Sequence, residues 1–169
     1  EVPFLRPDEL AQDDTPSINV VRHVLSWLKQ NDKWQPDAVV LLQPTSPLRK
    51  SVHINEAVDL FIEENADTVV SVMEVPHQFS PYSIMRLEDG YLTDFWQEEV
   101  NFDKYRRQVI PKLFARNGPA ILVTKTEVIL DNISFYGAKV IPYIMSEEQS
   151  VDINNYYDLE LASLLIDNL

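Results

Sequence analysis

Short runs of continuous apolar residues alternate along this chain with longer stretches whose apolar residues recur every three or four positions. That alternation restricts the fold more than any other feature, because strands interleaved with helices predict an α/β layered domain. Ile18, Val21, Val24, Leu25 and Leu28 follow Asp13-Asp14-Thr15-Pro16 at helical spacing. An Asx or Thr cap with proline in the first turn predicts the helix start there, and Asn31-Asp32 its end. Ala38-Val39-Val40-Leu41-Leu42 reads as a strand buried on both faces of a parallel sheet. Ser51 can cap a second helix carrying Ile54, Ala57, Val58, Phe61 and Ile62, ending near Asn65. Further buried strands are predicted at Thr68 to Val72 and Ala120 to Thr124, a short helix from Thr126, and a strand from Lys139 to Met145. A last helix runs from Asp158 to Leu169, with Leu161, Ala162, Leu165 and Ile166 inward. Ser83 to Leu87 and Tyr91 to Phe95 flank Glu88-Asp89-Gly90, and Asp-Gly between β-prone segments predicts a hairpin. The stretch from Tyr82 to Lys112 thus reads as an arm inserted in an α/β core.

At 169 residues the chain fits one domain, residues 1–169, with 45% hydrophobic and 24% charged residues. No apolar run approaches the ~18 residues of a membrane helix, and no signal peptide is visible. The absence of cysteine excludes disulfides and thiolate chemistry and is compatible with a cytoplasmic protein. A net charge of -13 repels polyanions, which argues against binding to nucleic acid or an anionic membrane. With only three glycines (Gly90, Gly118, Gly137), neither a G-x-G-x-x-G nor a Walker loop can be written. The chain opens on Glu1, and Glu1-Val2-Pro3-Phe4-Leu5-Arg6-Pro7 reads as the end of a strand, so it is expected to begin inside a larger unit.

Three places can carry chemistry. The loop Gln43-Pro44-Thr45-Ser46-Pro47 leaves the carboxyl end of a predicted strand, where open α/β sheets bind ligands. Its two prolines hold Gln43, Thr45 and Ser46 with little entropy left to lose. A rigid strand-to-helix turn fits the same residues. Lys104, Arg106, Arg107, Lys112 and Arg116 place five of the fourteen Lys and Arg within thirteen residues. Such an island suits an anion, or a solvated face paired with Glu98, Glu99 and Asp103. Asp152 and Asn154 lie two apart and share one side of an extended segment. They suit either a hard cation such as Mg²⁺ or a helix N-cap. His23, His53 and His77 are scattered; Trp27, Trp34 and Trp96 read as core or arm packing. Phe135-Tyr136-Gly137 reads as a turn whose aromatics either pack in the core or cover a ligand.

The phrases Phe4-Leu5-Arg6-Pro7-Asp8-Glu9-Leu10-Ala11 with Asp13 and Ser17, and Leu41-Leu42-Gln43-Pro44-Thr45-Ser46-Pro47-Leu48-Arg49, resemble the acylneuraminate cytidylyltransferases, the CMP-N-acetylneuraminate synthetases. Arg107-Gln108 with Pro111, Asn117-Gly118, Tyr143 to Ser146, and Ser150 to Asn154 followed by Asp158-Leu159 continue the match in order. CMP-Kdo synthetases are more distant relatives. The resemblance implies a Rossmann-like three-layer α/β/α nucleotide-diphospho-sugar transferase fold, N-terminally truncated, with a β-hairpin dimerisation arm at about 82–112. It implies transfer of CMP from CTP to a sialic-acid-like nonulosonic acid with release of pyrophosphate, using Mg²⁺, in a cytoplasmic homodimer. Carried over by motif, Arg6 and Ser17 contact the nucleotide and Gln43 the sugar acid. Arg107, Phe135 and Tyr136 serve the partner's substrate, Arg107 also in catalysis. Arg116 and Asn117 meet the sugar, and Asp152 and Asn154 form the catalytic metal pair. The family's Gly/Lys/Arg-rich phosphate loop has no counterpart here, and Asn154 stands where the family has a second aspartate. The chain alone is therefore expected to be inactive, the alternative being a non-catalytic remnant that retains only self-association.

Overall fold

The computed structural model describes residues 2, 4–103 and 106–166. Its elements, in chain order, are α1 (Ser17–Asn31), β1 (Ala38–Leu41), α2 (Ser51–Glu63), β2 (Thr68–Glu74), β3 (Met85–Glu88), β4 (Tyr91–Asp94), β5 (Phe114–Arg116), β6 (Leu122–Lys125), α3 (Thr126–Asp131), β7 (Val140–Ile144) and α4 (Tyr156–Ile166). β2 is the hub of the main sheet. It pairs in parallel with β7 on one side, from Thr68↔Val140 to Val72↔Ile144. On the other side it meets β6 and then β5, both antiparallel, lying end to end along it. β1 pairs antiparallel with β6, Ala38↔Lys125 to Leu41↔Leu122. β1, β2 and β7 therefore run the same way and end on the same edge of the sheet.

Alternation of side chains along these strands divides the core into two. Val69, Ile121 and Val123 face α2, packing with Ala57, Ala66 and Met145 and with Ile54, Val58 and Phe61. Val70, Val72 and Leu122 face the other way, against Leu41, Phe135 and Tyr136. On that side Val21 and Leu25 of α1 meet Ile129 of α3, with Val39 and Leu41 beneath. Helices on both faces of one mixed sheet make a three-layer, Rossmann-like α/β/α domain. Each Val or Ile fully buried here contributes about 1.5–3 kcal/mol, so the hub strand with its five consecutive buried residues carries much of the stability.

The hairpin forms as its turn residues dictate. β3 and β4 make a separate two-stranded sheet joined by Asp89 and Gly90, both at positive φ (50° and 84°), the geometry of a type I′ turn. Leu87, Tyr91 and Leu92 on it are exposed. Tyr82 packs edge-on against Trp96 and Phe102 at its base.

Several expectations are corrected. β1 is not buried on both faces of a parallel run: its described neighbour is the antiparallel β6, and Val40 and Leu42 are exposed. The apolar run reflects one well-covered face, not two. The α1 N-cap is Pro16, without a side-chain cap, so Asp13, Asp14 and Thr15 do not cap it. Ser51 is the first helical residue of α2; His53, held below its usual pKa chiefly by burial, accepts the Lys50 N–H through Nδ1 at 3.1 Å. Val2 and Phe4 to Pro7 form no strand, and Phe4 instead packs on His23 and Trp27 of α1. Glu1 and Pro3 lie outside the described residues. Trp34 is exposed. In α4 Ala162 is buried and Leu165 half-buried, whereas Leu161 and Ile166 face outward; residues 167–169 of the expected helix lie outside the described residues.

At the opposite edge of the sheet a carboxylate organises a turn. Asp67 accepts the N–H groups of Ala138 (3.1 Å) and Lys139 (2.9 Å) and pairs with Lys125 Nζ at 3.0 Å. The Lys139 N–H bond and then the Lys125 ammonium hold its pKa below the ordinary value. Gly137 is required here, since a Cβ on it would sit 2.4 Å from the Asp67 Cβ. Overpacking of this kind costs about 1–3 kcal/mol. Gly137→Ala is expected to lower the urea midpoint accordingly; an alanine variant as stable as the parent would show that the turn yields freely.

Candidate active site

The loop after β1 is held by its own backbone and one arginine. The Gln43 carbonyl accepts from Ser46 N–H (3.4 Å) and from Arg49 Nη1 (3.0 Å), and the same Nη1 donates to the Ala120 carbonyl at 2.7 Å. Burial lowers the Arg49 pKa, and a guanidinium remains charged at neutral pH even so. Leu48 is buried beneath the loop. The half-buried Gln43 side chain makes no hydrogen bond to other described residues, which leaves its amide free for a ligand.

Opposite this loop the β5–β6 line is interrupted. Between Arg116 and Leu122 the ladder to β2 keeps the Ser71 N–H to Ile121 carbonyl bond (2.8 Å), and side chains join it. Ser71 Oγ donates to Asn117 Oδ1 (2.6 Å) and accepts the Ile121 N–H (2.8 Å), and Asn117 Nδ2 donates to Ser150 Oγ (2.9 Å). Asn117 is only 4% exposed. Its amide is occupied beneath the site, tying the strand break to the segment after β7.

That segment brings Asp152 to the same edge. Ile153 N–H donates to the Thr45 carbonyl at 2.8 Å, joining it to the Gln43 loop. The capping of α4 is done by the next residues: Asn155 Oδ1 accepts the Asp158 N–H (3.1 Å), and Asp158 Oδ2 accepts the N–H groups of Asn154 (2.9 Å) and Asn155 (3.1 Å). This reciprocal arrangement is a capping box. Asp152 is thereby released from the helix-cap role that its position also suited. Its Oδ2 accepts Asn154 Nδ2 at 3.1 Å, and its Oδ1 is buried with no hydrogen-bond partner among the described residues.

The structure thus brings Gln43, Asn117 and Asp152–Asn154 to the carboxyl ends of β1 and β7. The other expected residues are not hydrogen-bonded to these among the described residues. Arg107, exposed in a short 3₁₀ turn, borders an open groove of about 620 Å³ with His77, Lys112, Ser146 and Glu147, at the ends of β2 and β7. Lys112 there pairs with Glu74 at 2.8 Å rather than with Glu98 or Glu99. Lys104, the first member of the cationic island, lies outside the described residues. Arg116 donates to the Tyr136 hydroxyl (3.1 Å) and lies over its ring, and that hydrogen bond raises its pKa. Phe135 packs in the core with Leu41. Arg6 is exposed ahead of a 3₁₀ turn at Asp8–Leu10, and Ser17 opens α1; neither hydrogen-bonds to the Gln43 loop. Sequence reasoning did not single out Ser71, Ser150 or the clamp made by Arg49. Small buried hydroxyls have no periodicity signal, and only the strand break shows why they are needed.

Asp152 and Asn154 supply one carboxylate and one amide, and no group of three or more His, Cys, Asp or Glu that could hold a metal occurs among the described residues. Such a donor set suits Mg²⁺, which keeps waters and takes most remaining ligands from substrate phosphates. It does not suit a cation caged by protein alone.

No protein-family model matches the chain. Among curated proteins it is similar to the N-acylneuraminate cytidylyltransferase of Escherichia coli O18:K1:H7, 36% identical over 160 residues, covering 94% of this chain and 36% of that protein. The N-acylneuraminate cytidylyltransferase of Streptococcus agalactiae serotype V is likewise 36% identical over 155 residues, covering 91% of this chain and 35% of that protein. The CMP-N,N'-diacetyllegionaminic acid synthase of Legionella pneumophila is 31% identical over 180 aligned residues, covering 98% of this chain and 69% of that protein. The chain belongs to the acylneuraminate cytidylyltransferase family. It spans about a third of the length of the first two relatives.

Proposed function

We propose that this domain transfers the cytidylyl group of CTP to a nonulosonic acid of the sialic or legionaminic type. The anomeric hydroxyl of the sugar attacks the α-phosphorus, an O–P bond forms, the bond to the bridging oxygen breaks, and pyrophosphate leaves. The observation that carries this reading is Asp152, a carboxylate freed from capping by Asn155 and Asp158, on a segment that Ile153 N–H joins to the Thr45 carbonyl of the Gln43 loop. Gln43 orients the sugar, Arg6 and Ser17 address the nucleotide, and Arg107 and Arg116 offer cations to the substrate carboxylate and phosphates. Asp152, with Asn154, would hold Mg²⁺, which offsets charge developing on the phosphates. On this reading the domain is cytoplasmic and works as a homodimer, with the 82–112 arm as the contact and with Arg107 turned to the neighbouring site.

The exposed apolar residues of the hairpin, Leu87, Tyr91 and Leu92, favour a second reading, a remnant that keeps only self-association. Calorimetric titration with CTP and MgCl₂ separates the two. The enzyme reading expects Mg²⁺-dependent CTP binding that Asp152→Ala weakens at least tenfold, in line with the loss of a metal ligand's support, with unchanged secondary structure. A dimer by light scattering that ignores CTP would sink it. Pyrophosphate release with sialic, legionaminic and pseudaminic acids, assayed in parallel, decides whether these residues turn over by themselves and ranks the sugar.

A further inference from the structure

Two buried polar atoms near the site have no hydrogen-bond partner among the described residues, and they face the same small space. Ser46 is 2% exposed and its Oγ is unpartnered; Asp152 Oδ1 is likewise buried and unpartnered. Between them lies Gly118. A Cβ built on that residue would come 3.3 Å from Ser46 Oγ and 3.4 Å from Asp152 Oδ1, so both atoms border the side that the glycine leaves bare. Gly118 has φ +113°, a conformation that other residues rarely adopt. Chain geometry and space both keep this side free.

We propose that Ser46 is a positioning residue for Asp152, its hydroxyl donating to Oδ1 across the bare side of Gly118. The backbones on either side are already joined, since Ile153 N–H donates to the Thr45 carbonyl at 2.8 Å. Pro44 and Pro47 flank Ser46, and Arg49 anchors its loop to Ala120. A serine hydroxyl turns about χ1 without moving the backbone and rotates its proton to suit. A buried carboxylate oxygen without a donor is costly, more so than a neutral group, so the nearest mobile donor closes on it. With Oδ1 held by Ser46 and Oδ2 already accepting Asn154 Nδ2 at 3.1 Å, the plane of the carboxylate is set and Oδ2 presents its remaining lone pair outward. A positioning donor of this kind does for a metal-binding carboxylate what partners behind a ligand generally do. It also explains why the loop carries a hydroxyl at a position where packing alone would accept alanine.

The inference rests on the cytidylyltransferase reading only for what Asp152 holds, and the test separates the two. Urea unfolding of the parent, Ser46→Ala, Asp152→Asn and the double variant, in metal-free buffer, closes a cycle that involves no ligand. A direct contact gives non-additive effects, about tenfold in the unfolding equilibrium constant; additive effects overturn the proposal. Mn²⁺ binding in the presence of CTP, followed by the loss of the free-ion EPR signal, is the second readout. Ser46→Ala is expected to weaken Mn²⁺ about tenfold, with Ser46→Thr, which keeps the hydroxyl, restoring it. A coupled cycle with unaltered Mn²⁺ affinity would reduce Ser46 to a structural contact and overturn its positioning role. If the parent itself binds no Mn²⁺ with CTP, the functional reading falls, and the metal-free cycle still decides whether Ser46 holds Asp152.

Discussion

Alanine at Asn117 is expected to cost the domain about 3 kcal/mol and to leave little folded protein at moderate urea. The side chain is buried and makes bonds in three directions: from Ser71 Oγ at 2.6 Å, from the Ala120 N–H at 3.4 Å, and to Ser150 Oγ at 2.9 Å. Truncation removes the acceptor of the Ser71 hydroxyl, the acceptor of the Ala120 N–H and the donor to Ser150, and each buried polar atom left unpaired costs about 1–3 kcal/mol. The site lies where β5 and β6 break, and the backbone bond from Ser71 N–H to the Ile121 carbonyl does not replace these side-chain bonds. Asn117→Asp, which loses the donor and buries a charge, should be destabilised at least as much as the alanine variant. Urea denaturation followed by tryptophan fluorescence measures both. If Asn117→Ala unfolds with the parent's midpoint but binds sugar acid poorly, the residue belongs to the ligand and not to the scaffold.

Arg49→Ala should produce the largest functional change outside the groups that touch substrate. One guanidinium nitrogen bridges the Gln43 and Ala120 carbonyls at 3.0 and 2.7 Å, and hydrogen bonds from charged donors contribute about 1.5–3 kcal/mol each. Losing the bridge frees the Gln43 loop from Ala120, just ahead of β6, while leaving both hydrophobic layers intact. The expected signature is a stability loss of about 2 kcal/mol together with a sugar-acid affinity reduced more than CTP affinity. Calorimetry with each ligand alone reads the split. Equal weakening of both ligands would mean that Arg49 serves the whole domain rather than this loop.

Local chemistry made parts of the molecule legible. Asp89-Gly90 between β-prone segments could only turn back on itself, and the hairpin appears with that two-residue turn. Thr68 to Val72 is apolar on both sides apart from two small hydroxyl residues, and β2 has neighbours on both edges and helices on both faces. The run from Ala38 to Leu42 looked the same, yet β1 has one described neighbour and Val40 is exposed. A continuous apolar run does not reveal how many neighbours a strand will have. At the start of α4 composition was ambiguous: Asp152, Asn154, Asn155 and Asp158 can all cap a helix, and hydrogen-bond geometry chose Asn155 and Asp158.

Composition, periodicity and motif order determined the class of the domain, most of its helices and strands to within a few residues though not β5 or the irregular opening segment, and the family to which it belongs. Those properties depend on neighbours in the chain and on short residue patterns, which are written directly in the order of amino acids. Tertiary structure decided which polar residues face a ligand and which are bound up in the scaffold. Asn117 and Asp152 look equally suited to a site in sequence. Contacts from Ser71 and Ser150, 46 and 33 residues away, draw the first into the interior, while the capping of α4 leaves the second free. Such allocation is set by long-range hydrogen bonding, and a donor far along the chain leaves no mark on the residues around its acceptor.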